Sequence, residues 1–71
     1  MTYVLTSDIA YTSTKSEIKQ FANDHGCVLS LFQPNGPAGG NHVCTFTSNN
    51  RNHIQELCDQ LQLPYSKILT T

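Results

Sequence analysis

Apolar residues in the chain alternate in some stretches and recur at helical spacing in others. Thr2–Thr6 alternates β-favouring residues, which predicts a first strand that runs on toward Ile9. The same signal predicts strands over Cys27–Gln33 and His42–Thr47 and a last strand over Tyr65–Leu69. Four strands are therefore expected.

The segment after the first strand has the signals of a helix. Thr14 and Glu17 have the spacing of a capping box, and Gly26 suits the left-handed residue that closes a helix. The apolar stripe of this helix consists of Ile18, Phe21 and Ala22. We expect a first helix between Thr14 and Gly26.

A second helix is predicted after the third strand. Asn49 or Asn50 can cap its start, and Pro64 is expected to stop it. Its apolar stripe consists of Ile54, Leu57, Cys58 and Leu61.

The order strand, helix, strand, strand, helix, strand is that of the ferredoxin-like motif. The predicted fold is therefore an α+β, βαββαβ ferredoxin-like sandwich of one domain, residues 1–71, with an antiparallel sheet and two helices on one face. The competing architecture keeps this order, but its first strand is too irregular to pair fully.

The small charge of the chain excludes some partners. Only 13% of residues are charged and the formal net charge is -1, so no basic field is present to attract duplex nucleic acid. The 3 cysteines lack the spacing of a disulfide framework or zinc site, and no metal or cofactor is expected. No leader-like or membrane-spanning segment is apparent, which favours a cytoplasmic protein with reduced thiols.

The predicted hairpin leaves apolar groups uncovered. If Gln33 lies opposite His42, Leu29, Leu31, Cys44 and Phe46 face the helices. The opposite side then carries Val28, Phe32, Val43 and Thr45 together with Ser30 and Thr47. Because a chain of 71 residues buries little surface, we expect a homo-oligomer that uses Val28, Phe32, Val43 and Thr45 as its interface. The alternative is a monomer that tolerates a half-apolar open face.

The connection between the second and third strands is unusually elaborate for a hairpin. It contains three glycines, two prolines and two asparagines within Pro34–Asn41. Backbone N–H groups of such a loop can form an anion-binding nest, and the residues expected to do so are Asn35, Gly36, Gly39, Gly40, Asn41 and the adjoining His42. The alternative is a rigid turn that binds nothing.

The topology brings this loop close to the start of the first helix. Tyr11, Ser13, Thr14 and Lys15 would then complete a site for a small anionic ligand such as a nucleotide, with Tyr11 or Tyr65 stacked on its ring. For Ser13 and Thr14 the alternative role is helix capping alone.

Evidence for catalysis is missing from the sequence. No Ser or Cys nucleophile has a recognisable base partner, and the acidic residues show no paired-carboxylate pattern. Acylphosphatases and RNA-recognition domains share the order of elements, but their arginine loop and their aromatic third strand have no match here. We expect a protein that is not an enzyme, with His25 and His53 as surface or capping groups and the cysteines as small apolar side chains.

The string GPAGGN and the following strand HVCTFTS resemble small phage-encoded accessory proteins with a G-P-x-G-G-N hairpin loop. This resemblance implies a viral protein that counters host defence in the host cytoplasm by sequestering a nucleotide signal in oligomer-lined pockets. The alternative function is an interaction module or inhibitor that binds a host protein through its open sheet face or an edge strand.

Overall fold

The computed structural model describes residues 1–34 and 40–71. In chain order the elements are β1 (Tyr3–Ile9), α1 (Lys15–Asp24), β2 (Val28–Gln33), β3 (His42–Ser48), α2 (Arg51–Leu61), a 3-10 turn (Tyr65–Lys67) and β4 (Leu69–Thr70). The strands form one antiparallel sheet in the order β2-β3-β1-β4. A small α+β fold with an antiparallel sheet and two helices is confirmed, and it is compatible with the predicted ferredoxin-like sandwich.

Strand β1 lies in the interior of the sheet, between β3 and β4. It pairs with β3 over its full length, from Tyr3 opposite Ser48 to Ile9 opposite His42. The competing architecture with an irregular first strand is therefore wrong.

Helix α1 has the predicted caps at both ends. The Thr14 hydroxyl accepts the N–H of Glu17 at 3.2 Å, and the Glu17 carboxylate accepts the N–H of Thr14 at 3.0 Å. At the other end Gly26 has a φ of 71°, and the N–H of Cys27 donates to the carbonyl of Ala22 at 2.8 Å. This is a Schellman ending, in which the left-handed residue turns the chain back toward the sheet.

Helix α2 is capped by Asn50, whose Oδ1 accepts the N–H of Asn52 at 2.9 Å. It ends at Leu61 with the same type of motif as α1, because the N–H of Leu63 donates to the carbonyl of Cys58 at 2.9 Å. Here the left-handed residue is Gln62, with a φ of 58°. Since a side chain disfavours this conformation, the packing of α2 must hold Gln62 in place.

The core lies between one face of the sheet and both helices. Side chains of β1 and β3 alternate along each strand, so that Leu5 and Phe46, which are paired, are both fully buried. Among the residues that the structure describes, the buried apolar set is Leu5, Ile18, Ala22, Cys27, Cys44, Phe46, Ile54, Leu57 and Cys58. Phe21 and Leu61 are only half-buried at the edge of this core. Both predicted helical stripes therefore face the core.

The β2–β3 hairpin contains an irregularity that the alternating pattern does not predict. Leu29 lies opposite Phe46 as expected, but the next paired residue is Leu31, which lies opposite Thr45. The intervening Ser30 is the extra residue of a β-bulge, and its hydroxyl donates to the carbonyl of Thr45 at 3.1 Å. The bulge reverses the side of the sheet on which the following residues lie.

The side chains after the bulge correct the predicted register. Phe32 lies opposite Cys44 and packs against the core, whereas it was expected on the open side. Gln33 lies opposite Val43, not opposite His42. The assignment of Phe32 to the oligomer interface is therefore wrong.

The last strand is much shorter than predicted over Tyr65–Leu69. The first 3 residues of that stretch form a 3-10 turn, in which the N–H of Lys67 donates to the carbonyl of Pro64 at 3.1 Å. Only Leu69–Thr70 joins the sheet beside β1. The β-favouring composition of the segment is outweighed by the local turn after proline.

Candidate functional site

The predicted ligand site lies where the hairpin meets the start of α1. Ile9 ends β1 opposite His42, so the β1–α1 connection and the beginning of β3 lie at the same end of the sheet. His42 is only 7% exposed, and its Nε2 lies 2.9 Å from the carbonyl oxygen of Ser13. Because a carbonyl only accepts, Nε2 carries the proton and donates it. This bond joins the connection before α1 to β3.

The His42 ring contacts Phe32, and Phe32 in turn lies near Lys15. The ring centroids of Phe32 and His42 are 4.8 Å apart, and the Lys15 Nζ lies 5.9 Å from the Phe32 ring centroid. Lys15 is thus within the range of a cation–π contact. The structure brings Ser13, Lys15 and His42 together as predicted, and it adds Phe32, which the sequence analysis placed on the wrong side.

The other loop residues predicted to bind a ligand are either exposed or outside the described residues. Asn35, Gly36 and Gly39 lie outside the described residues. Gly40 and Asn41 are exposed, and among residues 1–34 and 40–71 no non-adjacent residue has an atom within 4 Å of a Cβ built on Gly40. We call the described part of this region the hairpin end, and it consists of Tyr11, Ser13, Thr14, Lys15, Phe32, Gly40, Asn41 and His42.

The two tyrosines considered for ring stacking lie apart. Tyr11 is 66% exposed and lies two residues after Ile9, the last residue of β1. Tyr65 lines a cleft with Met1 and Tyr3, which lie at the opposite end of β1. Its hydroxyl donates to both carboxylate oxygens of Asp59, at 2.9 and 3.1 Å. Tyr65 is therefore not part of the hairpin end.

The start of α1 already holds a negative charge. The Glu17 carboxylate accepts the N–H of Thr14, and this hydrogen bond lowers the pKa of Glu17. A carboxylate at this position satisfies part of the positive end of the helix dipole. An anionic ligand would have to bind beside Glu17, with Lys15 as the nearby cation.

A groove lies next to the hairpin end, between the two helices. Its volume is about 290 Å³, and its lining consists of Ile9, Ser13, Glu17, Ile18, Phe21, Gln60 and Leu61. The sequence analysis did not find it. The available signal was the position of Phe21 and Leu61 at the margins of the two apolar stripes.

The second candidate surface is the sheet face opposite the helices. It consists of Val4, Thr6, Asp8, Val28, Leu31, Gln33, Val43, Thr45, Thr47 and Leu69, and we call it the open face. Val28, Leu31 and Leu69 are 58%, 59% and 64% exposed. The predicted interface residues Val28, Val43 and Thr45 lie on it, and Leu31 takes the place expected for Phe32.

One row of side chains across the open face is apolar except for Thr47. Leu69 on β4 lies beside Val4 on β1, which lies beside Thr47 on β3, which lies beside Val28 on β2. The row therefore crosses all four strands. In the next row, the hydroxyls of Thr6 and Thr45 are 3.1 Å apart and therefore hydrogen-bonded.

The reactive groups of the described residues are few. Cys27, Cys44 and Cys58 are free and buried, and burial raises the pKa of each thiol. Buried protonated thiols are poor nucleophiles. Within residues 1–34 and 40–71, no group of His, Cys, Asp and Glu is arranged to hold a metal ion, and no helix has the length and apolar character to cross a membrane.

Comparisons with protein-family models, with curated proteins and with solved structures return no match to this chain.

Proposed function

We propose that the protein is a non-enzymatic binding protein that works as a homo-oligomer, assembled through the open face. The observation that carries this proposal is the row of Leu69, Val4, Thr47 and Val28, which is apolar except for Thr47, together with the neighbouring exposed Leu31. Contiguous exposed apolar surface is typical of interaction sites.

A second copy of the chain is the favoured occupant of the open face. A chain of 71 residues gains stability from additional burial, and an isologous contact places the same apolar row on both sides of the interface. With strands about 4.8 Å apart and about 3.3 Å per residue, the face measures roughly 300 Å² in projection. Standard interfaces bury about 800 Å² per partner, so we expect weak assembly that depends on concentration.

The test is sedimentation of Leu31→Asp beside Asn52→Asp. Both substitutions add one negative charge, but Asn52 is an exposed residue in the first turn of α2, away from the sheet face. We expect wild type and Asn52→Asp to self-associate between about 10 µM and 1 mM, and Leu31→Asp to remain monomeric. Equal association of all three proteins would refute the proposed interface.

We propose as a second candidate that the hairpin end holds a small anionic ligand, such as a nucleotide. The specific support is the convergence of Lys15 and His42, the latter tied to Ser13, at one end of the sheet. Binding at this end would use the ammonium of Lys15 for charge and the N–H groups of the loop for shape.

This second proposal is tested first by native mass spectrometry of freshly purified protein. A retained phosphate-containing adduct is expected. A titration with adenosine monophosphate then compares Lys15→Gln with Lys19→Gln, an exposed lysine four residues further along α1. Loss of binding only in Lys15→Gln would support the site. No adduct and no change in the amide resonances of Ser13 and His42 would refute it.

Two more specific statements, on the type of fold and on the biological role, remain proposals. We infer that the fold is a ferredoxin-like βαββαβ sandwich, because the strand order β4-β1-β3-β2 and the antiparallel pairings favour it. A role as a viral inhibitor of host defence in the host cytoplasm, acting on a nucleotide signal or a host protein, is supported by the resemblance of the loop, most of which lies outside the described residues. We expect the protein not to be an enzyme.

A further inference from the structure

The edge of the sheet beside β1 is only partly covered. β4 pairs with Tyr3 and Val4 and goes no further along β1, which continues to Ile9. The reason is the 3-10 turn, where the N–H of Lys67 bonds back to Pro64 and is not directed at the sheet.

The backbone groups left at this edge follow from the pairing pattern. Thr2 and Thr71 exchange two hydrogen bonds, of 3.3 and 2.9 Å, so even-numbered residues of β1 direct their N–H and C=O toward β4. Thr6 and Asp8 therefore direct these groups at the uncovered edge. Within the part of the chain that the structure describes, no backbone bond from β4 or the 3-10 turn reaches them.

A groove runs along the uncovered edge. Its volume is about 330 Å³, and its lining consists of Thr6, Ser7, Asp8, Leu61, Leu63 and Lys67, which we call the edge groove. Leu61 and Leu63 are half-buried and form its apolar wall on the helix side. Asp8 and Lys67 are its two charged side chains.

We propose that the edge groove binds an extended segment of a partner protein, which adds to the sheet as a strand beside Thr6–Asp8. Main-chain hydrogen bonds to Thr6 and Asp8 provide affinity, and alternate side chains provide specificity, as in other cases of strand addition. This inference does not depend on the proposed homo-oligomer, because that assembly uses the open face and this one uses the backbone edge.

The lining predicts the side chains of the segment. We take the added strand to run antiparallel to β1, in line with β4, so that it passes Asp8 first, then Ser7, then Thr6. The residue beside Ser7 points to the helix side, where Leu61 and Leu63 favour an apolar group. A basic residue suits the position opposite Asp8, and an acidic residue suits the end near Lys67. The segment of the partner protein is therefore expected to carry, in chain order, a basic, an apolar and an acidic residue.

The charges also argue against a second copy of this chain at the edge. The segments of β1 and β2 contain no lysine or arginine, so neither could supply the basic residue opposite Asp8. The four basic residues of the chain, Lys15, Lys19, Arg51 and Lys67, all lie outside its strands. A partner protein of complementary charge is therefore the better occupant.

The experiment uses three synthetic heptapeptides with the full-length protein. The first carries Arg-Val-Glu between two threonines on each side, and the second reverses the charges to Glu-Val-Arg. The third repeats the first with N-methylated backbone amides at the arginine and the glutamate, because these two residues lie opposite Asp8 and Thr6. Amide hydrogen exchange of Thr6 and Asp8 is measured by NMR, with Ser7 as internal control because its N–H faces β3.

We expect the Arg-Val-Glu peptide to slow exchange at Thr6 and Asp8 by about tenfold or more near saturation, with Ser7 unchanged. Reversing the charges should weaken binding about two- to fivefold for each pair, and N-methylation should abolish it. Asp8→Lys should remove the preference between the first two peptides, because each peptide then makes one favourable and one unfavourable charge pair. Asp24→Lys, the same charge change at the far end of α1, should leave the preference unchanged. Equal binding of the N-methylated peptide, or exchange at Thr6 and Asp8 that is already slow and unaffected, would overturn the proposal.

Discussion

Replacing Gly26 with alanine tests how α1 joins the sheet. Gly26 has a φ of 71°, and a Cβ built on it lies 2.3 Å from Nδ1 and 2.9 Å from Cγ of His53. The contact reaches the base of the imidazole, so His53 cannot relieve it by moving only the end of its ring. The substitution therefore introduces two separate penalties.

The size of each penalty can be worked out. An alanine in the left-handed region costs about 1–2 kcal/mol, and forced overlap in a packed site costs about 1–3 kcal/mol more. We expect Gly26→Ala to lose about 2–5 kcal/mol in wild type, but only the backbone share of about 1–2 kcal/mol when His53 is also alanine. A domain of this size has a total stability of roughly 4–10 kcal/mol, so the loss is large.

The assay is urea unfolding of both single variants and the double variant, followed by circular dichroism. Gly40→Ala is the matched control, because no non-adjacent residue in the described part of the chain lies within 4 Å of a Cβ at Gly40, and the φ of Gly40 is not in the left-handed range. We expect this control to change stability by less than about 0.5 kcal/mol. A cost for Gly26→Ala that is the same with and without His53, to within about 0.5 kcal/mol, would refute the proposed steric contact.

Three further predictions concern local interactions. Glu17 has a lowered pKa because its carboxylate accepts the N–H of Thr14. Its contribution to stability is therefore present above its usual pKa of 4.5 and is lost as pH falls through the lower folded-state pKa. The difference in melting temperature between wild type and Glu17→Gln should accordingly disappear in acid. Gln62→Gly should raise the free energy of unfolding by about 0.5–1 kcal/mol, since glycine accepts the φ of 58° without strain. A lower free energy of unfolding for this variant, measured with urea, would contradict the left-handed conformation of Gln62. Tyr65 has a raised pKa because its hydroxyl donates to Asp59. Its stabilising effect is therefore present below the usual pKa of 10.0 and is lost as pH rises through the folded-state pKa. Asp59→Asn should lower the Tyr65 pKa in an alkaline absorbance titration, and an unchanged pKa would count against the hydrogen bond.

Local sequence signals located both helices and their ends. The capping box of Thr14 and Glu17, the glycine at 26 and the cap at Asn50 each act within a few residues, so the same residues that form the signal also form the contact. The ending of α2 was less visible, because its left-handed residue is Gln62, which carries no such signal, and Pro64 lies beyond it.

Signals that depend on distant partners were less informative. Strict alternation places Phe32 on the open side, but one extra residue at Ser30 reverses the side from there on. The sequence of β2 contains no glycine to mark the bulge, whose visible partner is the Thr45 carbonyl on another strand. For the same reason, the predicted topology placed His42 near Ser13 but did not predict the hydrogen bond between them.

The interior position of β1 also determines when the protein can fold during synthesis. β1 is synthesised before both of its neighbours, because its partner strand begins only at His42 and its other neighbour at Leu69. At about 5–20 residues per second, the Tyr3–Ile9 segment waits several seconds for β3. During that interval its apolar residues have no native strand beside them, so a chaperone that binds short extended segments would find a target in the β1 segment of the nascent chain. Completion of the sheet depends on the last residues described, because Leu69–Thr70 closes the side of β1 that β3 leaves open.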